Sequence, residues 1–379
     1  MQFLIMMMMM STDGLLYTRM MKKMIPSSTK RKVGNLLADL AVNSKARVLL
    51  YHDRRQLISG EKGAKVEIAW QSMRVVRTLG LVLEEEITTL NNDDDDETSH
   101  SLIRAIILSD NSFAIDVSAL DQNLILEACQ GQSLAFMSAR ELMVAGSEEA
   151  AMDAGRAHAM LSWHAKNLFC GSCGAKTVSV EAGAKRVCTK CRNRLYPRTD
   201  PVAIALVFST NFPNNEERIL LGRSKKFRPG MYTCLSGFVE SVESAEDAVR
   251  REVFEESGIS VGAVSIVATQ PWPTGRAGAC ELMIGCFAQA ESTDIILHDK
   301  ELEDARWFSR DQVQAAYQNA VKYANIGATP PDGTIFLPGS YAIAHHLVKH
   351  WLENSSAAIK NIPTSAGLDV NNNGDLLPA

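Results

Sequence analysis

Hydrophobic and polar positions follow two rhythms along this chain, and the switches between them mark its parts. Short apolar runs predict strands at Arg47–Tyr51, Ala69–Leu83, Ile103–Leu108 and Phe113–Val117. From Ser147 to Leu168 the spacing turns helical, with Ala151, Ala154, Ala157, His158 and Leu161 recurring on one face. Strands return at Val202–Phe208, Arg218–Leu221 and Leu282–Ala290, and helices are predicted over Ser244–Ser257 and Tyr341–Trp351. Asn91–Thr98 holds four consecutive aspartates and reads as a solvated loop. The pattern predicts an α+β chain in three folded parts. These are an irregular N-terminal unit (36–165), a short module (166–198) and a second α/β unit (199–352), flanked by a leader (1–35) and a polar tail (353–379).

Composition adds boundaries. Of 379 residues, 46% are hydrophobic and 22% charged, which is ordinary for a soluble globular chain. The formal net charge of −5 gives no global attraction to nucleic acid or to a membrane. No apolar run approaches the roughly 20 residues that span a bilayer, so no membrane partner is expected. The first 38 residues carry six Lys/Arg and one acid, Asp13, which fits an organellar presequence and equally an unstructured extension. The compartment is left open between organelle (mitochondrion, plastid or peroxisome) and cytoplasm. The ending Leu-Leu-Pro-Ala is not a Ser-Lys-Leu-type peroxisomal address.

The densest chemistry lies in Gly237–Ile259. Ser244 stands at a helix start with Asp247 three residues on, and Gly258 stands where a helix would end. Glu252, Glu255 and Glu256 fall at i, i+3 and i+4, which puts three carboxylates on one helix face. Such like charges repel, and hard divalent cations such as Mg²⁺ or Mn²⁺, which share their shells with phosphates, relieve the repulsion. Arg251, four residues before Glu255, is placed to hold a carboxylate. A lone acidic face would be read as solvated. Here Gly237, Glu243, Arg251 and Gly258 sit at fixed offsets around it, which favours phosphate chemistry.

Eight cysteines are present, and four of them form the pairs Cys170/Cys173 and Cys188/Cys191, fourteen residues apart. Two such knuckles converge on one tetrahedral Zn²⁺ as a closed structural site. Disulfide or redox readings are weaker for two pairs in one short module. A ribbon of this kind also occurs in nucleic-acid binders, but few aromatics besides Tyr196 are present here for base stacking.

Gly237–Ile259 matches the Nudix hydrolase signature at every fixed position. With the cysteine module before it and Gln270-Pro271-Trp272-Pro273 after it, the chain resembles the NADH pyrophosphatase subfamily. Trp163-His164, Tyr196-Pro197-Arg198, Asp200-Pro201 and Lys300-Glu301-Leu302 through Trp307-Phe308 fit the same resemblance. It implies a Nudix α/β/α sandwich with a mixed sheet, preceded by a zinc ribbon and a divergent N-terminal α+β domain. It further implies that Glu252, Glu255, Glu256, Glu301 and Ser236 hold the catalytic metal, with Glu255 or Glu256 as water activator and Arg251 in the catalytic set. Tyr196, Phe238, Gln270, Pro271, Trp272, Pro273 and Ala344 become substrate contacts.

The sequence departs from the family pattern in two places. The stretch Thr274–Glu281 is longer and glycine-containing, as in plant-type members, and its Arg276 is a candidate for a 2′-phosphate. Val242 stands where glycine commonly precedes the motif glutamate.

The expected reaction is metal-dependent hydrolysis of NAD(P)H or NAD⁺ to nicotinamide mononucleotide plus AMP or its 2′-phosphorylated form, in a homodimer. Removal of an NAD cap from RNA, or hydrolysis of another nucleoside diphosphate derivative, is the alternative within the same chemistry. A non-enzymatic zinc-ribbon binding protein is the alternative of a different class.

Overall fold

The computed structural model describes residues 46–354, apart from 61–65, 80–104, 110–111, 130–132, 182, 298–300 and 325–327. The basic leader, the four-aspartate loop, Lys300 and the tail from residue 355 therefore lie outside the described residues.

The N-terminal half orders as β1 (Arg47–His52), β2 (Arg55–Ser59), β3 (Glu67–Ile68), α1 (Met73–Thr78), β4 (Ala105–Ser109), β5 (Ser112–Asp116), α2 (Gln122–Ala128), β6 (Leu134–Ser138), α3 (Ala139–Ala145) and α4 (Glu148–Lys166). The sheet runs β3-β2-β1-β5-β4, with β6 also on β2, and β1 and β5 are parallel. Asp53 and Arg54, at φ 46° and 67°, make a two-residue hairpin turn of the kind that matches strand twist. Successive side chains take opposite faces. Val48, Leu50, Phe113 and Ile115 pack with Val75, Val76 and Ile125, while Leu49, Tyr51, Ile106 and Ala114 pack with Ala157 and Leu161 of α4. What the sequence pattern left irregular is thus a covered sheet.

The predicted strand over Ala69–Leu83 is corrected. Residues 73–78 are helical, although β-branched Val75 and Val76 favour a strand. The two valines and Leu79 fall on one helical face, and their burial against β1 and β5 overrides the local preference.

The middle module is a ribbon of β7 (Thr177–Val180), β8 (Lys185–Cys188) and β9 (Arg194–Leu195). The C-terminal half follows as β10 (Thr199–Ser209), β11 (Arg218–Ser224), β12 (Leu235–Phe238), α5 (Ala245–Ser257), β13 (Val261–Trp272), β14 (Cys280–Ala290), β15 (Leu302–Ser309), α6 (Arg310–Tyr323) and α7 (Ile343–Glu353). Its sheet is mixed, in the order β13-β14-β10-β11-β15, with β12 also on β10. Strand β10 runs parallel to β14 and antiparallel to β11 and β12. The period-2 alternation of β10 builds both layers. Ala203, Ala205 and Val207 face Ala248, Val249 and Val253 of α5, while Ile204, Leu206 and Phe208 face α6 and α7. The result is an α/β/α sandwich with the acidic helix on one outer layer.

Candidate active site and metal centre

Helix α5 starts and stops as its residues dictate. Ser244 Oγ accepts the Asp247 N–H at 3.1 Å, and Gly258 closes the helix at φ 71°. Asp247 returns its bond to the Ser244 hydroxyl (2.8 Å) rather than to the backbone, so the capping box is a variant form. Burial of Val249 and Val253 stabilises the seating of this helix by roughly 1.5–3 kcal/mol each.

Arg251 organises the site. Its Nε and Nη2 donate to Glu243 at 2.8 and 2.9 Å, and Nη2 also donates to the Phe238 carbonyl at 2.9 Å. Nη1 donates to Glu252 at 2.8 Å and to Glu255 at 3.1 Å. All five donors of the guanidinium are thus spent on groups of the chain itself. Arg251, expected in the catalytic set, is a positioning residue. It ties the loop before α5, the helix and strand β12 into one unit. It also holds the Glu243 carboxyl below the usual carboxylate range. Burial pushes Glu252 up, Arg251 opposes the shift, and the charges of Glu255 and Glu301 add to it. That coupling places Glu301, just before β15, within electrostatic reach of the helix.

The motif glycine has a steric reason. A Cβ on Gly237 would lie 1.8 Å from Glu252 Cδ, so the Glu252 carboxyl fits beside β12 only because residue 237 has no side chain. Ser236 and Gly237 are fixed there by pairing with Ile204 and Ala203. Val242 is fully exposed at φ 69°, where a β-branched residue is strained. The cost is on the order of 1–3 kcal/mol, which explains the glycine usual at that place.

The glutamates differ in setting. Glu256 is 7% exposed, Glu252 half-buried and Glu255 exposed. Among the described residues, the four cysteines alone bring three or more candidate metal ligands within 4.8 Å of one another. In this conformation Arg251 stands between Glu252 and Glu255. The donor set of carboxylate oxygens still suits a hard divalent cation.

The cysteines fit zinc directly. Cys170 Sγ lies 3.6 Å from Cys191 Sγ, and Cys173 Sγ lies 3.5 Å from Cys188 Sγ. Tetrahedral thiolates with Zn–S bonds of about 2.3 Å stand about 3.8 Å apart. The knuckles are alike: Cys170 N–H bonds to Ala175 O and Cys188 N–H to Asn193 O, with left-handed Gly174 and Arg192 following the second cysteines. The N–H groups of Ser172 and Cys173 pull the Cys170 thiol down to about 6, toward the thiolate a metal needs.

The other expected contact residues fall in different settings. Tyr196, on the ribbon, is 60% exposed. Phe238 is half-buried, with the Arg276 guanidinium 5.1 Å from its ring centroid. Ala344 is buried in the core between α7 and the sheet, a packing position. Gln270–Trp272 is the end of edge strand β13, paired with Glu281–Met283. Pro271 stands on a strand paired on one side only, the place in a sheet where proline is tolerated. Trp272 stacks on Tyr341 at 6.4 Å between centroids, and Pro273 begins the turn.

Gln270 has a role that sequence reasoning missed. Helix α7 has no side-chain cap of its own, and Gln270 Oε1 accepts the Ile343 N–H at 2.8 Å while its Nε2 donates to Tyr341 O at 3.0 Å. Gln270→Ala is therefore expected to lower stability by about 2 kcal/mol. Chemical denaturation reads this, and an unchanged midpoint would reject the capping role.

The fold and the site together define a Nudix-type sandwich carrying a zinc ribbon. Three family models match successive parts of the chain between residues 45 and 326. The NADH pyrophosphatase-like rudimentary NUDIX domain matches residues 45–163, the NADH pyrophosphatase zinc ribbon domain 165–196 and the NUDIX domain 201–326. The chain is 34% identical to NAD-capped RNA hydrolase NudC of Pseudomonas syringae over 63% of this chain and 73% of that protein. It is 41% identical to Nudix hydrolase 19, chloroplastic, of Arabidopsis thaliana over 59% of this chain and 58% of the relative. It is 45% identical to human NAD-capped RNA hydrolase NUDT12 over 52% of this chain and 40% of the relative. Against these last two, the chain thus spans about half the relative's length. The chain belongs to the NADH pyrophosphatase family of Nudix proteins. Among the described residues no helix is long and apolar enough to cross a membrane.

Proposed function

We propose that this chain hydrolyses the pyrophosphate bond of NAD(P)H or NAD⁺, giving nicotinamide mononucleotide and AMP or 2′-phospho-AMP. The observation that carries the reading is the Arg251 cluster, which ties Glu243, Glu252 and Glu255 to the Phe238 carbonyl of β12. Glu252, Glu255, Glu256 and Glu301, with the Ser236 carbonyl, would hold Mg²⁺ or Mn²⁺, which neutralises the pyrophosphate and polarises the attacked phosphorus. Glu255 or Glu256 takes a proton from the attacking water. The water oxygen bonds to one phosphorus, the bridging P–O bond breaks, and the leaving phosphate keeps the bridging oxygen. Phe238, Tyr196 and Trp272 offer aromatic faces to the substrate rings.

The exposed Phe169 and Tyr196 rings on the ribbon support a homodimer, and the name of the chloroplastic relative supports an organellar compartment. A second reading, removal of an NAD cap from RNA, is supported by the names of the NudC and NUDT12 relatives. Side-by-side turnover of NADH, NADPH, ADP-ribose and NAD-capped RNA decides between them. The proposal expects kcat/KM for a free nicotinamide dinucleotide at least tenfold above that for ADP-ribose. A larger value for capped RNA would replace it with the second reading, and no turnover of any of the four would end both.

A further inference from the structure

The turn after Pro273 lies along helix α4 of the N-terminal half. A Cβ on Gly155 would sit 2.8 Å from Pro273 Cγ. About two helical turns further on, a Cβ on Gly278 would sit 3.2 Å from Arg54 Nη2, 3.4 Å from Ser162 Cβ and 3.5 Å from Lys166 Nζ. Gly278 is buried at φ 73°, so both space and backbone favour glycine there. Two cationic heads thus converge on one glycine, no more than about 7 Å apart. Arg276, on the same turn, places its guanidinium over Phe238, whose carbonyl is held by Arg251.

The surroundings leave this charge largely unbalanced. Among the described residues, none of Arg54, Lys166 and Arg276 forms an ion pair. Asp53, on the hairpin, faces His52 at 3.5 Å. Glu281 is buried under Gly275, with its Oε1 taken by the Arg276 backbone N–H at 2.7 Å, and Asp200, opposite it on β10, is paired with Arg198. His158, on the adjoining face of α4, is driven down to about 4, first by burial and then by the charges of Arg54 and Lys166. It is therefore neutral near pH 7 and adds no positive charge. Tyr51 Oη, 3.2 Å from His158 Nδ1 and from Ser162 Oγ, ties β1 to α4 beneath the cluster. Like charges gathered around one turn, next to the end of β13, are the arrangement an anionic group would relieve.

We propose that Arg54 and Lys166, with Arg276 at the edge of Phe238, seat a phosphate monoester carried by the substrate, the 2′-phosphate of a phosphorylated nicotinamide dinucleotide. This rests on the hydrolase reading above and assigns its preference between the two dinucleotides. The seat joins the two halves of the chain: the hairpin turn and α4 supply two cations, and the turn after β13 supplies the third.

Two measurements on the full chain test it. Calorimetric titration with adenosine 2′,5′-bisphosphate, 5′-AMP and inorganic phosphate needs no turnover. Wild-type protein is expected to bind the bisphosphate at least tenfold more tightly than 5′-AMP, and R54A/K166A to lose that preference while R54K/K166R keeps most of it. Equal affinity for bisphosphate and 5′-AMP in the wild type overturns the proposal. So does inorganic phosphate binding as tightly as the bisphosphate, which would make the cluster a free-anion site. In turnover, the ratio of kcat/KM for NADPH to that for NADH is expected to fall tenfold in R54A/K166A, mainly through KM, and an unchanged ratio overturns the proposal. A wild type that hydrolyses neither dinucleotide yet prefers the bisphosphate defeats the hydrolase reading alone. Circular dichroism checks that each variant is folded.

Discussion

Exchanging Glu255 and Glu256 together for glutamine is expected to lower turnover of NADH about a thousandfold, the middle of the range for losing a positioned general base. Glutamine preserves the volume of both side chains. Glu255 is exposed, so its exchange removes a charge without opening a cavity. Glu256 is buried at the C-terminal end of α5, where a neutral amide costs less to desolvate than a carboxylate. Arg251 keeps Glu243, Glu252 and the Phe238 carbonyl, so the loop, helix and strand stay joined. The thermal midpoint should accordingly move by no more than about 4 °C, the shift produced by about 1 kcal/mol. Phosphatase-coupled release of phosphate from the product reads the rate, and a melt on the same sample reads the fold. Wild-type turnover in the double variant would show that the acidic face does not activate the water. Unfolding of the variant would show that the two carboxylates are structural.

The chemistry of this site was legible in the sequence where residues act through spacing along one element. Ser244, the three glutamates and Gly258 are separated by fixed helical offsets, and the helix appears where they predict it. The cysteine pairs are equally local, because each knuckle closes on its own backbone. What escaped the sequence depends on residues far apart in the chain. The steric need for Gly237 is set by Glu252, on another element. The cap that Gln270 provides serves a helix 73 residues away, and nothing in Gln-Pro-Trp-Pro announces it. The Arg54–Lys166 pair comes from a hairpin and a helix that no motif links. Strand β13 was missed for another reason. Its register shifts between Val261 and Val264 and between Ile266 and Ala268, and these bulges break the period-2 signal. Helix α6 was readable and passed over. Ser309 and Gln312 form a full capping box, and Val313, Ala316 and Ala320 lie on its buried face.

Removing the metal from the cysteine site should have the second large effect, confined to the ribbon and its neighbours. The module has three short strands, the last of two residues, and little apolar surface of its own. Its order therefore rests on the four thiolates and on one buried junction. In that junction His164 Nε2 lies 2.9 Å from Gly183 O, and Arg186 donates to His164 Nδ1 at 3.0 Å and to Thr177 at 2.7 and 2.8 Å. Structural zinc contributes on the order of 10 kcal/mol to the folding of comparable small modules. Cys170→Ser with Cys173→Ser, or exhaustive chelation, is thus expected to raise amide exchange over residues 168–195 by more than about a hundredfold, since a loss of 1.4 kcal/mol already gives a factor of ten. The core of β10, β11 and β14 should keep its protection, because it is closed by α5, α6 and α7 and not by the ribbon. Tyr196 and Pro197 lead directly from the ribbon into β10, so the KM for dinucleotide should rise with the loss of zinc even where the acidic helix is intact. Metal analysis should give one zinc per chain. A mass four protons lower with no zinc bound would mean two disulfides and reject the site, as would unchanged exchange in the double variant.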